Sequence, residues 1–212
     1  MSLTEKPRGQ RMSDTSRTPT EVDDAALIER ARREPEAFAE VFRRHAPEIQ
    51  RYVTRRLGAD PAEDVVADTF LAAFRQRERY DLSRSSARPW LYGIATNLIA
   101  RHKRIEVHQL RVLERTGTDP VSDPFTERSD ERLSARSVRQ RLAAALASLP
   151  AGHRDALLLV AWGGLSYQEA AQALGVRIGT VRSRVNRARN KMRKELGGVD
   201  PTSSISEVHV RG

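Results

Sequence analysis

The stretch Leu165–Leu196, LSYQEAAQALGVRIGTVRSRVNRARNKMRKEL, decides how the rest of the chain is read. It has the layout of a helix-turn-helix whose second helix is loaded with arginine. Ser166 and Glu169 stand three residues apart, the spacing of a capping box in which each side chain satisfies an orphan amide at the helix start. Ala170, Ala171 and Leu174 give this short helix an apolar side, and Gly175 supplies the left-handed or tight conformation that ends it. Beyond the turn the apolar residues are Ile178, Val181, Val185, Ala188, Met192 and Leu196, stepping by three or four as a half-buried helix requires. Around them are Arg177, Arg182, Arg184, Arg187, Arg189, Lys191, Arg193 and Lys194, against one acid, Glu195. Such a helix packs on one side and meets phosphates on the others.

On a helical wheel the face opposite Val181 and Met192 holds Ser183, Asn186 and Asn190, flanked by Arg184 and Arg187. Arginine can fork onto guanine, asparagine onto adenine, and serine onto phosphate or base. Arg182, Arg189, Lys191 and Lys194 stand on the flanks, where phosphate clamps belong. An ordinary solvated basic helix has the same composition; the capped partner helix and glycine turn are what favour duplex DNA as the ligand.

The whole chain agrees. Its 212 residues suit two compact modules of roughly 80 residues each. The formal charge of +9 favours a polyanionic partner. Cysteine is absent, which excludes disulfides and cysteine-ligated metal and fits a reducing cytosol. The polar first twenty residues lack the apolar run of a signal peptide, and no stretch is apolar enough for a membrane span. Helical periodicity recurs and period-two alternation is scarce, so the expected class is all-α: two helical domains joined by a flexible linker.

Read outward toward the amino terminus, residues 137–196 form the second module. Val138, Leu142, Leu146 and Leu149 begin it, and Pro150 and Gly152 separate them from Leu157 to Trp162. Residues 107–136 lose the pattern, contain Gly117, Pro120 and Pro124, and carry more acids than bases; they read as a linker with a short helix at its start. The first module spans 23–106. A helix over Asp23–Arg33 is followed by an apolar repeat through Val41 and Phe42 that pauses at Pro47 and resumes with Ile49, Tyr52 and Val53. Asp60 is the expected cap of a helix from Pro61, in which Phe70 and Phe74 share a core stripe. A last stripe, Trp90, Leu91, Ile94, Ala95, Leu98 and Ile99, runs into the basic cluster Arg101, His102, Lys103 and Arg104. Residues 1–22 and 197–212 read as tails.

Two features of the first module invite chemistry. Asp64 and Asp68, spaced i,i+4, face one way, yet no HExxH, Glu-x-x-His or histidine cluster accompanies them as metal or catalytic partners. Like charges at this spacing disfavour a helix slightly, so an external basic partner gives them a use, with a plain solvated face as the simpler reading. Trp90 lies beside cations, as bases stacked on aromatics require, but a lone tryptophan on an apolar stripe belongs to the core.

These stretches, in this order, resemble the extracytoplasmic-function (ECF) group of the bacterial sigma-70 family. PAEDVVADTFLAAF (Pro61–Phe74) and ARPWLYGIATNLIARHKR (Ala87–Arg104) look like that family's region two, and GTVRSRVNRAR (Gly179–Arg189) looks like its region four. The resemblance implies a stress-responsive promoter-specificity subunit of RNA polymerase, with no catalytic activity, cofactor or metal. It implies that Asp64 and Asp68 dock on the beta-prime clamp helices. Asn97, Arg101, Lys103 and Arg104 are implied to meet the melted minus-ten element. Arg177, Thr180, Arg182, Ser183, Arg184, Asn186 and Arg187 are implied to read the minus-thirty-five duplex near the beta flap. Phe70, Phe74 and Trp90 stay structural. An anti-sigma factor, a cytoplasmic location and no direct membrane association complete the expectation. The rivals are a stand-alone helix-turn-helix regulator with an amino-terminal sensing domain and, more distantly, a small hydrolase built on Asp64 and Asp68.

Overall fold

The computed structural model describes residues 23–116 and 141–197, and no strand occurs among them. Residues 1–22, 117–140 and 198–212 lie outside the described residues, and with them most of both expected tails, most of the linker, and Val138.

The amino-terminal group begins with α1 (Asp24–Ala31), whose cap is Asp23: its carboxylate accepts the Ala26 amide at 2.8 Å. A 3-10 turn, Pro35–Ala37, leads into α2 (Phe38–Leu57). Pro47 was expected to mark a pause, but it lies inside α2, which continues for ten residues beyond it. Proline costs a helix one hydrogen bond and a steric clash, and burial of Ile49, Tyr52 and Val53 on the far side favours continuation. Gly58, at φ +93, ends α2 with its amide on the Thr54 carbonyl. Next comes α3 (Asp60–Gln76). It starts one residue earlier than expected, so Asp60 is a first-turn acid rather than its cap, and no side chain caps this end.

A 3-10 turn, Arg77–Arg79, and a polar loop precede α4 (Arg88–Thr116). This helix runs ten residues past the boundary at 106 drawn from sequence, so the start of the expected linker continues it. No Gly or Pro interrupts 94–116, and a continuing helix already has its nucleus.

The second group comprises α5 (described over 141–147), α6 (Ala151–Ala161), α7 (Tyr167–Leu174) and α8 (Ile178–Glu195). Leu157 to Val160 are buried around the whole of α6, as in a central helix. The capping box of α7 is complete, and Gly175 is left-handed at φ +61. On α8 the buried stripe is Val181, Val185, Ala188 and Met192. Ile178, expected in that stripe, is 38% exposed at the first position of α8. Phe42 departs in the same way: it is 48% exposed on α2, with its ring set edge-to-face against Phe70 at 4.8 Å.

The two groups are packed against each other. α4 lies against α7, and buried apolar residues from both join one core.

Candidate nucleic-acid interface

The outer face of α8 is basic and open. Arg177, Arg182, Ser183, Asn186 and Arg187 are exposed, and Thr180 is half-buried. The guanidinium groups of Arg182 and Arg187 have no hydrogen bond or ion pair with the described residues. Ser183 donates to the Thr180 carbonyl, and Asn190 donates to Asn186 at 3.1 Å, so these polar groups hold only each other and their own backbone among the contacts described. Arg184 is half-buried and lies over Gly152; a Cβ on that glycine would stand 3.2 Å from Arg184 Cζ. Packing on glycine therefore orients the arginine at the edge of this basic face. Of the expected phosphate clamps, Lys191 is held inward, donating to the Ser148 carbonyl at 2.7 Å beside Glu195. It ties α8 to the end of α5 instead.

On α4, Asn97, Arg101 and Arg104 are exposed and Lys103 is half-buried. Asn97 shares a sector with Trp90 on the wheel but points outward, whereas Trp90 is half-buried against Tyr80 with ring centroids 4.9 Å apart. The loop before α4 is built by its own polar groups. Tyr80 donates to the Arg84 carbonyl at 2.7 Å, and Asp81 accepts from the Ser83 hydroxyl and amide and from Arg84. Those bonds, the Ser83 hydroxyl's first, hold the Asp81 carboxyl below its ordinary range.

Asp64 and Asp68 lie on the opposite side of the chemistry, exposed on α3, and neither carboxylate has a partner among the described residues. Leu71, 44% exposed, continues their face one turn on, and exposed Phe42 stands beside α3 through its contact with Phe70. This apolar rim was missed in the sequence, where Phe42 fits a core repeat. Phe70 is buried; Phe74 is half-buried, edge-on to Phe38 and under the Arg77 guanidinium at 4.1 Å.

A buried polar hub anchors the frame that carries these surfaces. His45 lies between Asp24 (2.7 Å) and Glu48 (2.9 Å), and Asp24 also accepts the Ala87 amide at the start of α4. Burial opposes charge on His45, but the two carboxylates outweigh it and raise the ring to about 9. Both carboxyls resist burial and sit below their ordinary values because His45 and their other cationic or amide partners hold them ionised. No group of three or more side chains able to hold a metal occurs among the described residues, and no helix among them is long and apolar enough to cross a membrane.

Two family patterns match this chain, one on each helical group. Sigma-70 region 2 covers residues 41–106, carrying the acidic face of α3 and the basic cluster midway along α4. Sigma-70, region 4 covers 134–192, carrying the helix-turn-helix. The chain belongs to the ECF group of the sigma-70 family. It is a sigma factor of DNA-templated transcription initiation, and it is similar over 167 residues to CarQ, an RNA polymerase sigma factor of Myxococcus xanthus. That alignment is 34% identical and covers 78% of this chain and 92% of CarQ. The ECF RNA polymerase sigma factor SigE of Mycolicibacterium smegmatis is 38% identical over 76% of this chain, which spans 62% of SigE's length. The solved structure of CnrH in complex with the cytosolic domain of CnrY matches at 29% identity and a TM-score of 0.57. It covers 82% of this sigma factor and 97% of the matched chain. RpoE of Bartonella quintana, solved with the anti-sigma factor NepR, matches at 26% identity and 0.53 over 76% of this chain and 98% of that chain.

Proposed function

We propose that this sigma factor divides its work among three surfaces. Asp64 and Asp68, with Leu71 and Phe42 at their rim, dock on the basic clamp helices of the polymerase beta-prime subunit. Asn97, Arg101, Lys103 and Arg104 meet the single-stranded minus-ten element. Arg177, Thr180, Arg182, Ser183, Arg184, Asn186 and Arg187 meet the minus-thirty-five duplex, close to the beta flap. The observation that carries this reading is the pairing of two opposite charge surfaces on one chain, each without partners among the described residues: the Asp64–Asp68 carboxylates on α3 and the Arg182 and Arg187 guanidinium groups on α8. A stand-alone regulator needs only the second.

The role is that of a binding and positioning factor, without a reaction of its own, acting in the cytoplasm where core polymerase and DNA are. The domain limits proposed are 23–106 for region two and 137–196 for region four, joined through 107–136. An anti-sigma factor is the proposed regulator, by likeness to RpoE and its partner NepR.

The test is a titration of core polymerase with the wild-type chain and with the double variant Asp64→Lys, Asp68→Lys at matched salt. The expected result is a large loss of core affinity with helicity unchanged. Unchanged affinity in a folded variant would remove this face from the interface.

A further inference from the structure

The polar loop before α4 is tied down at its far end by the first residue of α1. The Asp24 amide donates to the Ser85 carbonyl at 3.0 Å, and the Asp24 carboxylate accepts the Ala87 amide at 2.8 Å. Asp24 thus grips the chain on both sides of Ser86, through backbone alone. The carboxylate oxygen that takes the Ala87 amide also faces His45 Nε2 at 2.7 Å, while Glu48 holds the other ring nitrogen at 2.9 Å. His45 therefore fixes the direction in which Asp24 points. Burial works against charge on Asp24, and His45, the Ala87 amide and Arg44 keep it ionised. Ala87 is fully buried, and its carbonyl accepts the Leu91 amide at 3.0 Å, so the tie also sets where α4 begins.

At the near end of the loop the Tyr80 hydroxyl donates to the Arg84 carbonyl at 2.7 Å. Between the two ties Ser83, Arg84, Ser85 and Ser86 are exposed. Their hydroxyls and guanidinium are donors of the kind that meet phosphate and sugar oxygens. The base of the loop lies on the sector of α4 that carries the minus-ten residues. Tyr80 packs on Trp90, and Asn97, Arg101 and Arg104 follow Trp90 by seven, eleven and fourteen residues, each close to a whole number of helical turns. The loop is the amino-terminal end of that face.

We propose that Asp24, held by His45, is a positioning residue for the minus-ten face: it sets the loop at 83–86 and the first turn of α4 in the conformation that takes the unpaired strand. Asp24 is 6% exposed, so it acts through the loop and does not touch the strand. A buried amide that loses its acceptor is costly, so removal of the carboxylate releases the loop instead of leaving the Ala87 amide unpaired in place. The effect on DNA rests on the proposed minus-ten role of Asn97, Arg101 and Arg104; the tie itself does not.

The test pairs two readouts on the full-length chain. One is the affinity of its complex with core polymerase for fork-junction DNA whose minus-ten element is single-stranded. The other is hydrogen exchange at the Ala87 amide of the free chain, relative to amides of α2. Asp24→Ala should speed Ala87 exchange and weaken fork binding by about tenfold, with core affinity unchanged. Asp24→Asn keeps an acceptor oxygen and should recover most of both. His45→Leu leaves the carboxylate without its support; it should show the same split in smaller measure, and it keeps the test decisive if Asp24→Ala fails to fold. Val53→Ala opens a cavity about two turns along α2 from His45 and should lower stability while moving neither readout. A folded Asp24→Ala or His45→Leu chain with wild-type exchange and fork affinity overturns the proposal. So does an Asp24→Asn chain no better than Asp24→Ala, or a Val53→Ala chain that reproduces the loss. A wild-type complex that ignores the single strand would overturn the minus-ten reading and the positioning role with it, and the Ala87 exchange ratio separates that failure from a failure of the tie.

Discussion

The helix-turn-helix and the amino-terminal group are both small helical bundles, but they are fastened differently. The first is held by contacts close in sequence. Ser166 and Glu169 cap each other three residues apart at 3.1 and 2.8 Å, Gly175 turns the chain, and the α8 stripe steps by three or four. The second depends on a hub gathered from distant positions: Asp24 reaches His45 and the Ala87 amide, and Glu48 reaches Arg88. Local fastening leaves the outer face of α8 free of structural duty, so its residues can change for DNA without cost to the fold. Long-range fastening makes the frame of the amino-terminal group sensitive at a few buried points.

The largest expected effect follows from the hub. Asp24→Ala removes the carboxylate that faces His45, Arg44 and the Ala87 amide, leaving that buried amide without its acceptor and His45 and Arg44 with one carboxylate each, Glu48 and Glu40. A loss of about 3–5 kcal/mol is expected. Denaturant unfolding read by Trp90, with Trp162→Phe in the background, checks it; a loss below that of an ordinary surface change would break the contrast.

The pH dependence comes next. His45 is raised from 6.5 to about 9, so its stabilisation is complete below about pH 6.5 and disappears as pH rises through 9. Asp24 and Glu48 are lowered, so theirs is present above their ordinary values of 3.8 and 4.5 and disappears on acidification. Stability should therefore fall as pH rises from 6.5 through 9, and His45→Gln should flatten that fall. Unfolding midpoints across this range decide the matter.

On the other side of the contrast, Arg187→Ala should leave stability nearly unchanged, and Arg184→Ala should lose only its packing over Gly152. Each should cost about 1–3 kcal/mol of discrimination on matched against mutated minus-thirty-five duplexes if it forks onto a base. Equal losses on every duplex would place them among the phosphate contacts. The smallest effect belongs to the local fastening itself. Ser166→Ala should cost about 1 kcal/mol, as other caps do, seen as a modest drop in the unfolding midpoint of the carboxy-terminal group.

The same contrast explains what could be read in the sequence. The capping box, the turn and the stripe of α8 were legible because each is a pattern within a few residues, and the exposed Asp64–Asp68 pair was legible for the same reason. Phe42 and Ile178 fit helical periodicity yet stand exposed, since a period states which residues share a face and not whether anything covers it. The helix through Pro47 was hidden because tertiary packing outweighs a local breaker, whereas the short helix expected at the start of the linker is the continuation of α4, which no breaker stops before Thr116. Arg56 and Asp155, bonded at 2.7 Å but 99 positions apart, carry no signal as a pair. Gly93, out of place in a helix, was the one visible hint that another backbone, that of Ala173, comes close.

The most direct measurement is reconstituted transcription from a promoter carrying both elements, with purified core polymerase, this chain, and the Asp64→Lys, Asp68→Lys variant beside it. The account predicts specific transcripts only when core and wild-type chain are both present, and a loss of transcripts with the folded variant. Tight promoter binding by the chain with no association with core and no transcript would contradict it.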